Sequence, residues 1–370
     1  MRRLRRMFIS LMVLSLSLSF WVSPTQATQN VCPDFVLVGA RGSGEKTPHQ
    51  TPSKSGEYID SSAPSQIRSY NSWLGKTVGS LYTELITMKN TPFVPFNPEN
   101  TNTKISGKRS IAWLSYGVYN TQTIYPAVGV PNFLNREETR DYIGEVVISN
   151  KGLLEISLRE YSARCPNSKF FLAGYSQGAA IVRLSVNELS STDDADVIQR
   201  VLGVILIADP LLSPKDKRLP VGSDSRWTDT KSTCGAVRLI ASFSLECAFS
   251  QKSLAGNLFI KSIQKFLPLV ECVTYSGCEN SLAVDVSLAK EAKLDSTSDI
   301  SKKTGISHIV SVCYVGDAVC SLLGERSKLA WAGILIKDPG KIHSEEYKKP
   351  TTSSAIARWI EKRVPPKTTK

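Results

Sequence analysis

The residues best suited to chemistry lie in the pentapeptide GYSQG at positions 174–178. An apolar run at 170–173 precedes it, and a helical pattern over 179–189 follows. A Gly-x-Ser-x-Gly sequence between a strand and a helix forms a sharp turn, because its glycines let the chain fold back and lift the serine hydroxyl above the sheet edge. We therefore predict that Ser176 is a nucleophile; the alternative is an ordinary strand-to-helix turn.

A serine hydroxyl becomes a good nucleophile only when a base takes its proton and an acid orients the base. Where this turn occurs, the partners follow in the order serine, acid, histidine. His308 and His343 are the histidines downstream of Ser176, and His49 lies upstream. His308 opens a predicted strand and should pack at the sheet edge. His343 lies in a predicted loop after Asp-Pro-Gly at 338–340, from which it can reach over the sheet, so we predict that it is the base.

Asp317 is the predicted acid. It lies in CYVGDAVC at 313–320, after a predicted strand and between two cysteines, and a disulfide there would close a tight loop and hold the carboxylate. Asp209 is the alternative, since it ends the strand that follows the turn helix and also satisfies the chain order. Its other role would be to cap or turn the chain before Pro210.

Cleavage of an ester also needs hydrogen-bond donors for the oxyanion that develops. The backbone N–H of Gln177, directly after Ser176, can supply one donor. Ser43, in the loop after the first predicted strand, is placed to supply a second through its backbone N–H and a third through its hydroxyl. The alternative for Ser43 is a plain turn residue.

The surrounding pattern predicts an α/β fold. Apolar runs typical of buried strands lie at 35–40, 111–116, 170–173, 201–208 and 308–312. Apolar residues at three- and four-residue spacing predict helices over 65–88, 137–163, 179–189 and 351–363, and 45–65 is a polar loop. Strands that alternate with helices indicate a parallel sheet covered on both faces.

The alternation is lost over 221–304. This segment holds four of the eight cysteines, a predicted strand at 237–243 and an amphipathic helix with Phe259, Ile263, Phe266 and Val270 on one stripe. Such a helix could form a lid or an acyl-binding wall. The alternative is that the stripe packs the segment on the body of the domain.

Composition and charge restrict the class of protein. The 370 residues are 41% hydrophobic and 21% charged, which excludes disordered, collagen-like and coiled-coil chains. The formal net charge is +12, and it falls to +8 without the four arginines among the first six residues. This excess favours loose adhesion to anionic surfaces. No Lys/Arg run is interleaved with aromatic residues, so we expect no nucleic-acid partner.

The N-terminus has the pattern of a signal peptide. Basic residues precede an apolar stretch at 7–22, and Thr25-Gln26-Ala27 places small residues where signal peptidase cuts, so residues 1–27 should be removed before Thr28. A membrane anchor is the alternative, but the stretch is short and contains four serines. Arg5-Arg6 also resembles a twin-arginine signal, which leaves the export route open.

All eight cysteines follow the cleavage site, and an even number in an exported chain indicates disulfides. Metal binding is the alternative. There is no Cys-x-x-Cys pair, and only three histidines are present, so we expect neither a zinc site nor an organic cofactor.

Four motifs together resemble the cutinase family, which includes fungal cutinases, acetylxylan esterases and the cutinase-like lipases and esterases of actinobacteria. They are ARGSGE at 40–45, Cys165-Pro166 ahead of GYSQGAA at 174–180, the CYVGDAVC segment, and His343 with Tyr347. The resemblance covers 31–214 and 305–364.

The resemblance implies an α/β-hydrolase-type three-layer sandwich with a central parallel sheet, residues 28–370 being one domain with an insertion at about 221–304. It makes Ser176 the nucleophile, Asp317 the acid, His343 the base, and Ser43 with Gln177 the oxyanion hole. It also implies disulfides Cys32–Cys165 and Cys313–Cys320. The cysteines of the insertion would then pair among themselves: Cys234, Cys247, Cys272 and Cys278.

The family implies a secreted, monomeric serine esterase that hydrolyses cutin-like polyesters, short- to medium-chain acyl esters or lipids. The alternatives are a cell-envelope lipid esterase or phospholipase, an acetylxylan-type carbohydrate deacetylase, and an inactive surface-binding module. The chain departs from compact members of the family, because 141 residues separate Ser176 from Asp317 and His343 follows 26 residues later.

Overall fold

The computed structural model describes residues 32–43, 45, 74–97, 107–115, 118–119, 123–124, 151–189, 195–221, 295–314, 317, 319–320 and 339–366. The chain divides after Cys32, and everything below except that cysteine belongs to the compact unit Pro33–Lys370. Within the described ranges no helix is both long and apolar enough to span a bilayer.

The centre of this unit is a parallel sheet of six strands. Its order is β2-β3-β1-β6-β7-β8, and every neighbouring pair is parallel. The strands of this sheet are β1 Phe35–Ala40, β2 Phe93–Pro95, β3 Arg109–Ser115, β6 Lys169–Tyr175, β7 Val201–Ile207 and β8 Ile309–Val312. Two short strands, β4 Val118–Tyr119 and β5 Thr123–Ile124, form an antiparallel pair of their own.

Helices cover both faces of the sheet. The described helices are α1 Gly75–Thr87, α2 Lys151–Arg164, α3 Gln177–Leu189, α4 Ala195–Ile198, α5 Thr297–Thr304, α6 Pro339–Glu345 and α7 Pro350–Glu361, with a 3₁₀ turn at Glu346–Lys348. Leu37, Phe171 and Ile205 pack on one face in a single core cluster with residues of α1 and α7. Alternate strand residues such as Leu172 and Leu206 are buried on the opposite face, where α3 covers the sheet and α2 packs against α3.

The predicted α/β architecture with a central parallel sheet is confirmed, and each predicted strand that falls within the described residues matches an observed one to within two residues. Several described elements differ from the prediction. The elements that were not predicted are β2, β4, β5, α4 and α5, and the segment that carries His343 is the short helix α6 rather than a loop. The 259–270 helix, the 237–243 strand, most of the 45–65 loop and the N-terminal parts of the helices at 65–88 and 137–163 lie outside the described residues.

The parallel arrangement determines where the chemistry can be. Because all six strands run the same way, the segments after β1, β6, β7 and β8 emerge at the same edge of the sheet. Those segments contain Ser43, Ser176, Asp209 and Asp317 respectively. The predicted site residues that follow strands therefore share one edge.

Candidate active site

Ser176 lies at a strained turn between β6 and α3. Its φ is +53°, a left-handed conformation that costs a residue with a side chain about 1–2 kcal/mol. The turn is fixed on both sides: the Ser176 N–H donates to the Ile207 carbonyl at 2.8 Å, and the Ser176 carbonyl accepts from the N–H groups of Ala179 and Ala180 at 2.9 and 3.2 Å. Hydrogen bonds with β7 and with the first turn of α3 therefore stabilise the strained backbone conformation of Ser176.

The two glycines of the pentapeptide allow backbones to come unusually close. A Cβ on Gly174 would lie 2.4 Å from the carbonyl oxygen of Gly178, and a Cβ on Gly178 would lie 2.3 Å from that of Ala40. Real Cβ atoms do not tolerate such distances, so both positions require glycine. The close approach packs the start of α3 against the end of β1, beside Ser176.

Three predicted residues meet above this turn. The Ser176 Oγ lies 2.9 Å from the Nε2 of His343, and the Nδ1 of the same imidazole lies 3.0 and 3.1 Å from the two carboxylate oxygens of Asp317. The Ser176 residue is only 3% exposed and Asp317 is fully buried, whereas the His343 side chain is 14% exposed. This continuous chain of hydrogen bonds can pass a proton from the serine to a base that the carboxylate orients.

The buried carboxylate of Asp317 is stabilised by other donors as well. It accepts the Val319 N–H at 2.7 Å and the Tyr347 hydroxyl at 2.6 Å. The Tyr347 hydroxyl in turn accepts the Tyr314 N–H at 2.8 Å, so its proton points to Asp317. The disulfide Cys313–Cys320 closes the loop that carries Asp317, with 5.9 Å between the two Cα atoms.

Two tyrosines hold the imidazole. The Tyr175 ring stacks on His343 with centroids 5.3 Å apart, and its hydroxyl donates to the His343 carbonyl. Tyr347 packs edge-on against His343 with centroids 6.2 Å apart, and it also contacts Tyr175. Burial, followed by the nearby charge of Asp317, raises the pKa of both phenols above their ordinary value, so both stay protonated and act as donors.

The two predicted oxyanion residues lie on the segments that flank the nucleophile. Gln177 opens α3 and is fully buried, and its N–H belongs to the first turn, whose amides have no acceptor within the helix. Ser43 follows β1 in a turn closed by the Glu45 N–H, which donates to the Gly42 carbonyl at 3.2 Å. Their roles as oxyanion donors stay predictions.

The alternative candidates have other partners. The Asp209 carboxylate is fully buried, pairs with the Arg183 Nε at 2.6 Å and accepts the Leu211 N–H at 2.8 Å. The His308 ring packs edge-on against Trp359 with centroids 6.4 Å apart. Burial lowers the pKa of His308, with the charges of Arg363 and Lys217 adding to this effect. The geometry thus brings Asp317 and His343 to Ser176, and not these two residues.

The predicted disulfides are described in part. Cys313 pairs with Cys320, and Cys32 and Cys165 are each disulfide-bonded. The four cysteines of the 221–304 segment lie outside the described residues. Across the part of the chain that the structure describes, no group of three or more His, Cys, Asp or Glu side chains is arranged to hold a metal ion.

Sequence reasoning assigned no role to Tyr175, Tyr347 or Glu45, all of which contact the site. Tyr347 had one signal, because it follows His343 by four residues, a spacing that places two side chains on the same side of a helical segment. Tyr175 lies inside the pentapeptide at a position that the Gly-x-Ser-x-Gly pattern leaves open. Glu45 accepts the nearby Gly42 N–H, but its contacts with the N–H groups of Lys76 and Thr77 link distant parts of the chain and have no local pattern.

Parts of the chain are similar in sequence to known proteins. Residues 149–331 match the family model of cutinases, a segment that includes Ser176 and Asp317 and ends before His343. The cutinase CUT1 of Coprinopsis cinerea is 42% identical over 79 residues, which make up 21% of this chain. The chain thus spans about a third of that curated relative, since the alignment covers 35% of it.

Two solved structures are also similar. A cutinase-like protein from Cryptococcus sp. is 16% identical, with 90% of this chain and 94% of that chain covered and a TM-score of 0.39. The catalytic core domain of acetyl xylan esterase from Trichoderma reesei is 13% identical, with 88% and 99% covered and a TM-score of 0.36. At TM-scores this low, neither likeness supports a substrate for this chain.

The family assignment therefore depends on the sequence matches and on motifs that occur in the expected order. The matched segment contains the pentapeptide of the strained turn and the loop of Asp317. His343 and Ser43 lie outside it, and the fold brings His343 to within hydrogen-bond distance of Ser176. On these grounds residues 149–331 of the chain are similar to the cutinase family.

Proposed function

We propose that this protein is a serine esterase that hydrolyses carboxylic esters through an acyl-enzyme on Ser176. One observation carries the proposal: the Ser176 Oγ, the His343 imidazole and the Asp317 carboxylate form a continuous hydrogen-bonded chain at a strained turn. The buried acid and the partly exposed base are the arrangement that activates a serine hydroxyl. The match of residues 149–331 to the cutinase family model supports the same reaction class.

In the proposed acylation, the Ser176 Oγ attacks the ester carbonyl carbon while its proton passes to the His343 Nε2. The oxyanion accepts hydrogen bonds from the N–H groups of Gln177 and Ser43. As the tetrahedral intermediate collapses, the carbon–oxygen bond to the alcohol breaks, and His343 gives its proton to the departing alkoxide. Asp317 stabilises the imidazolium in between without taking its proton.

Deacylation repeats these steps with water. His343 takes a proton from a water molecule as the water oxygen attacks the acyl carbonyl. The bond to the Ser176 Oγ then breaks, the proton returns to this oxygen, and the carboxylic acid leaves. The base must be neutral at the start of each half-reaction, because only a neutral imidazole can accept the proton.

The substrate that we propose is a carboxylic ester of a polymer, a short- to medium-chain acyl compound or a lipid, met outside the cell. Disulfides at Cys313–Cys320, and at Cys32 and Cys165, support an oxidising compartment. An anionic envelope lipid is the second candidate, favoured by the formal charge of +8 after residue 27. Export is tested by N-terminal sequencing of protein from the medium, which should begin at Thr28.

The test of the activity is hydrolysis of p-nitrophenyl esters from acetate to palmitate by the mature protein and by Ser176→Ala. We expect turnover by the wild type and a loss of roughly 10⁴-fold or more in the variant. The chain-length profile separates a deacetylase from short-chain and lipase-like esterases. A fluorophosphonate should label the wild type and not the variant; a folded wild type that neither turns over nor labels would contradict the proposal.

A further inference from the structure

We propose that Glu45 is a positioning residue for the oxyanion hole, and that its carboxylate ties the turn at 42–45 to the start of α1. The inference deepens the proposed esterase function and rests on it. Ser43, the residue expected to supply an oxyanion donor, lies inside this turn. Glu45 itself does not reach the reacting atoms in this scheme; it acts through the backbone that it holds.

The carboxylate of Glu45 joins two segments that are distant in the chain. Its Oε2 accepts the Gly42 N–H at 2.8 Å, and its Oε1 accepts the N–H groups of Lys76 and Thr77 at 3.0 and 3.4 Å. The backbone closes the same turn, since the Glu45 N–H donates to the Gly42 carbonyl at 3.2 Å. Both ends of the turn are therefore fixed, and the helix start receives the acceptor that its first amides require.

Two glycines make room for this arrangement. Gly75, directly before Lys76, has a φ of +75°, and a Cβ there would lie 2.1 Å from the Glu45 Oε2. On the other side of the turn, a Cβ on Gly42 would lie 2.4 Å from the Tyr175 ring. The turn is thus held between the start of α1 and the ring that stacks on His343.

This attachment matters because an oxyanion hole works by geometry. A donor stabilises the developing charge only when it is held at hydrogen-bond distance before the reaction starts. A turn released from α1 would leave Ser176, His343 and Asp317 intact but would loosen one oxyanion donor. The expected signature is a lower kcat with little change in KM, since the loss falls on the transition state.

The electrostatic surroundings of Glu45 make the proposal testable by pH. Burial raises the pKa of Glu45, and the N–H groups of Gly42, Thr77 and Lys76 together with the charge of Lys348 only partly offset it. Tyr175 faces it from β6, and Arg41 on its own loop has its Cβ close to Gly75. Protonation removes the charge that accepts three amides, so the hold on the turn weakens as the pH falls through the raised pKa of Glu45.

As the pH rises, the stability and the activity of the wild type, each compared with Glu45→Gln, should therefore change in opposite directions. A carboxyl whose pKa is raised by folding contributes stability that is present at low pH and is lost as the pH rises through its folded pKa. Relative to Glu45→Gln, the wild type should therefore become less stable as the pH rises. Over the same range the wild type should become more active relative to the variant. A residue with only a structural role would change both in the same direction.

The experiment compares the mature wild type, Glu45→Gln and Glu361→Gln between about pH 5 and about pH 8 by ester kinetics and urea unfolding. Glu361, the last residue of α7, is the control because burial raises its pKa as well. We expect kcat of Glu45→Gln to be at least about tenfold lower at neutral pH, with the ratio approaching one in acid. Glu361→Gln should follow the wild type.

A second variant tests the same proposal in case Glu45→Gln does not fold. Gly75→Ala keeps the carboxylate but places a methyl group where its Oε2 lies, so it should lower kcat in the same way. If active wild type and Glu45→Gln differ by less than about twofold in kcat, or if their activity ratio does not change with pH, the Glu45 role is wrong while the esterase stands. A wild type that neither hydrolyses esters nor reacts with a fluorophosphonate overturns both.

Discussion

The Asp317 carboxylate depends on a neighbour that is itself tightly bound. Its oxygens accept from His343, Val319 and Tyr347, and Tyr347 is anchored in turn by the Tyr314 N–H. A buried carboxylate needs such donors because water does not reach it. The orientation of the Asp317 carboxylate, and through it that of the imidazole, is therefore set in part by the Tyr347 phenol.

Removing this hydroxyl should weaken catalysis more than stability. Tyr347→Phe takes a charge-assisted hydrogen bond of about 1.5–3 kcal/mol from the Asp317 carboxylate. We expect kcat/KM to fall by about tenfold or more, measured with p-nitrophenyl butyrate. The control is Tyr82→Phe, which removes a buried hydroxyl that donates to the Ile111 carbonyl at 3.1 Å, away from the site. Equal kinetics in the two variants would show that Tyr347 only packs the core.

At the residue level, the sequence allowed a prediction where a pattern was local or ordered. Ser176 was predicted from its pentapeptide, and Asp317 and His343 from their order along the chain. Glu45 could not be found in this way, because its partners Lys76 and Thr77 lie 31 and 32 residues away and offer only backbone amides. A backbone amide is present at almost every residue, so the sequence does not indicate which amides a carboxylate will bind.

At the scale of elements, a buried ion cluster joins α3 to the chain on both sides of 222–294. Arg183 of α3 pairs with Asp209 after β7 and with Asp216, and its Nη1 donates to the Asp295 carbonyl at 3.1 Å. Asp216 also accepts the Thr297 N–H at 2.7 Å at the start of α5. Helix α3, which begins directly after Ser176, is thereby fixed to both neighbouring segments.

Replacing the cation should strongly destabilise the fold. In Arg183→Met two buried carboxylates lose their counter-charge, and we expect the free energy of unfolding to fall by about 3–5 kcal/mol. Urea unfolding at neutral pH measures this. Arg358→Met is the control, because Arg358 is exposed on α7 and its loss should change stability by less than about 0.5 kcal/mol.

The loss of stability in Arg183→Met should depend on pH in a definite direction. In the wild type, burial opposes the charge of Asp216, but Arg183 and the N–H groups of Ser213 and Thr297 outweigh it, so the pKa of Asp216 lies below its ordinary value. Burial raises the pKa of Asp209 despite Arg183. Without the guanidinium, both carboxyls should bind protons more readily in the folded state. The stability deficit of Arg183→Met should therefore shrink as the pH is lowered; a constant deficit would mean that lost packing, not charge, causes it.

Elements that the sequence did not predict have short or unusual patterns. Strand β2 has only three residues and includes Pro95, which is tolerated because β2 is the edge of the sheet. Helix α6 starts at Pro339-Gly340, a pair that usually indicates a turn. The longer strands and helices were predictable because each buries a face in the core, and that burial imposes a periodic pattern.

Considered as a whole, the site is assembled by the sheet rather than by any one segment. Ser176, Asp317 and His343 span 167 residues of sequence, yet hydrogen bonds of about 3 Å join them. Parallel strands make this possible because each crossover returns the chain to the same edge. Extra chain between β7 and β8 lengthens one such crossover and leaves the strand ends in register. This explains how a 141-residue spacing is compatible with the usual order of residues.

The charge of the whole molecule leads to the last prediction. Residues 28–370 carry a formal charge of +8, so the exported protein should adhere to anionic surfaces through long-range attraction that salt screens. The inactive Ser176→Ala variant allows binding to be measured without hydrolysis of the lipid. We expect it to cosediment with phosphatidylglycerol vesicles at about 0.05 M salt, to be released at about 0.5 M, and to ignore phosphatidylcholine vesicles under both conditions. Equal binding to both lipids would mean that apolar contacts, and not the net charge, bring the protein to a surface.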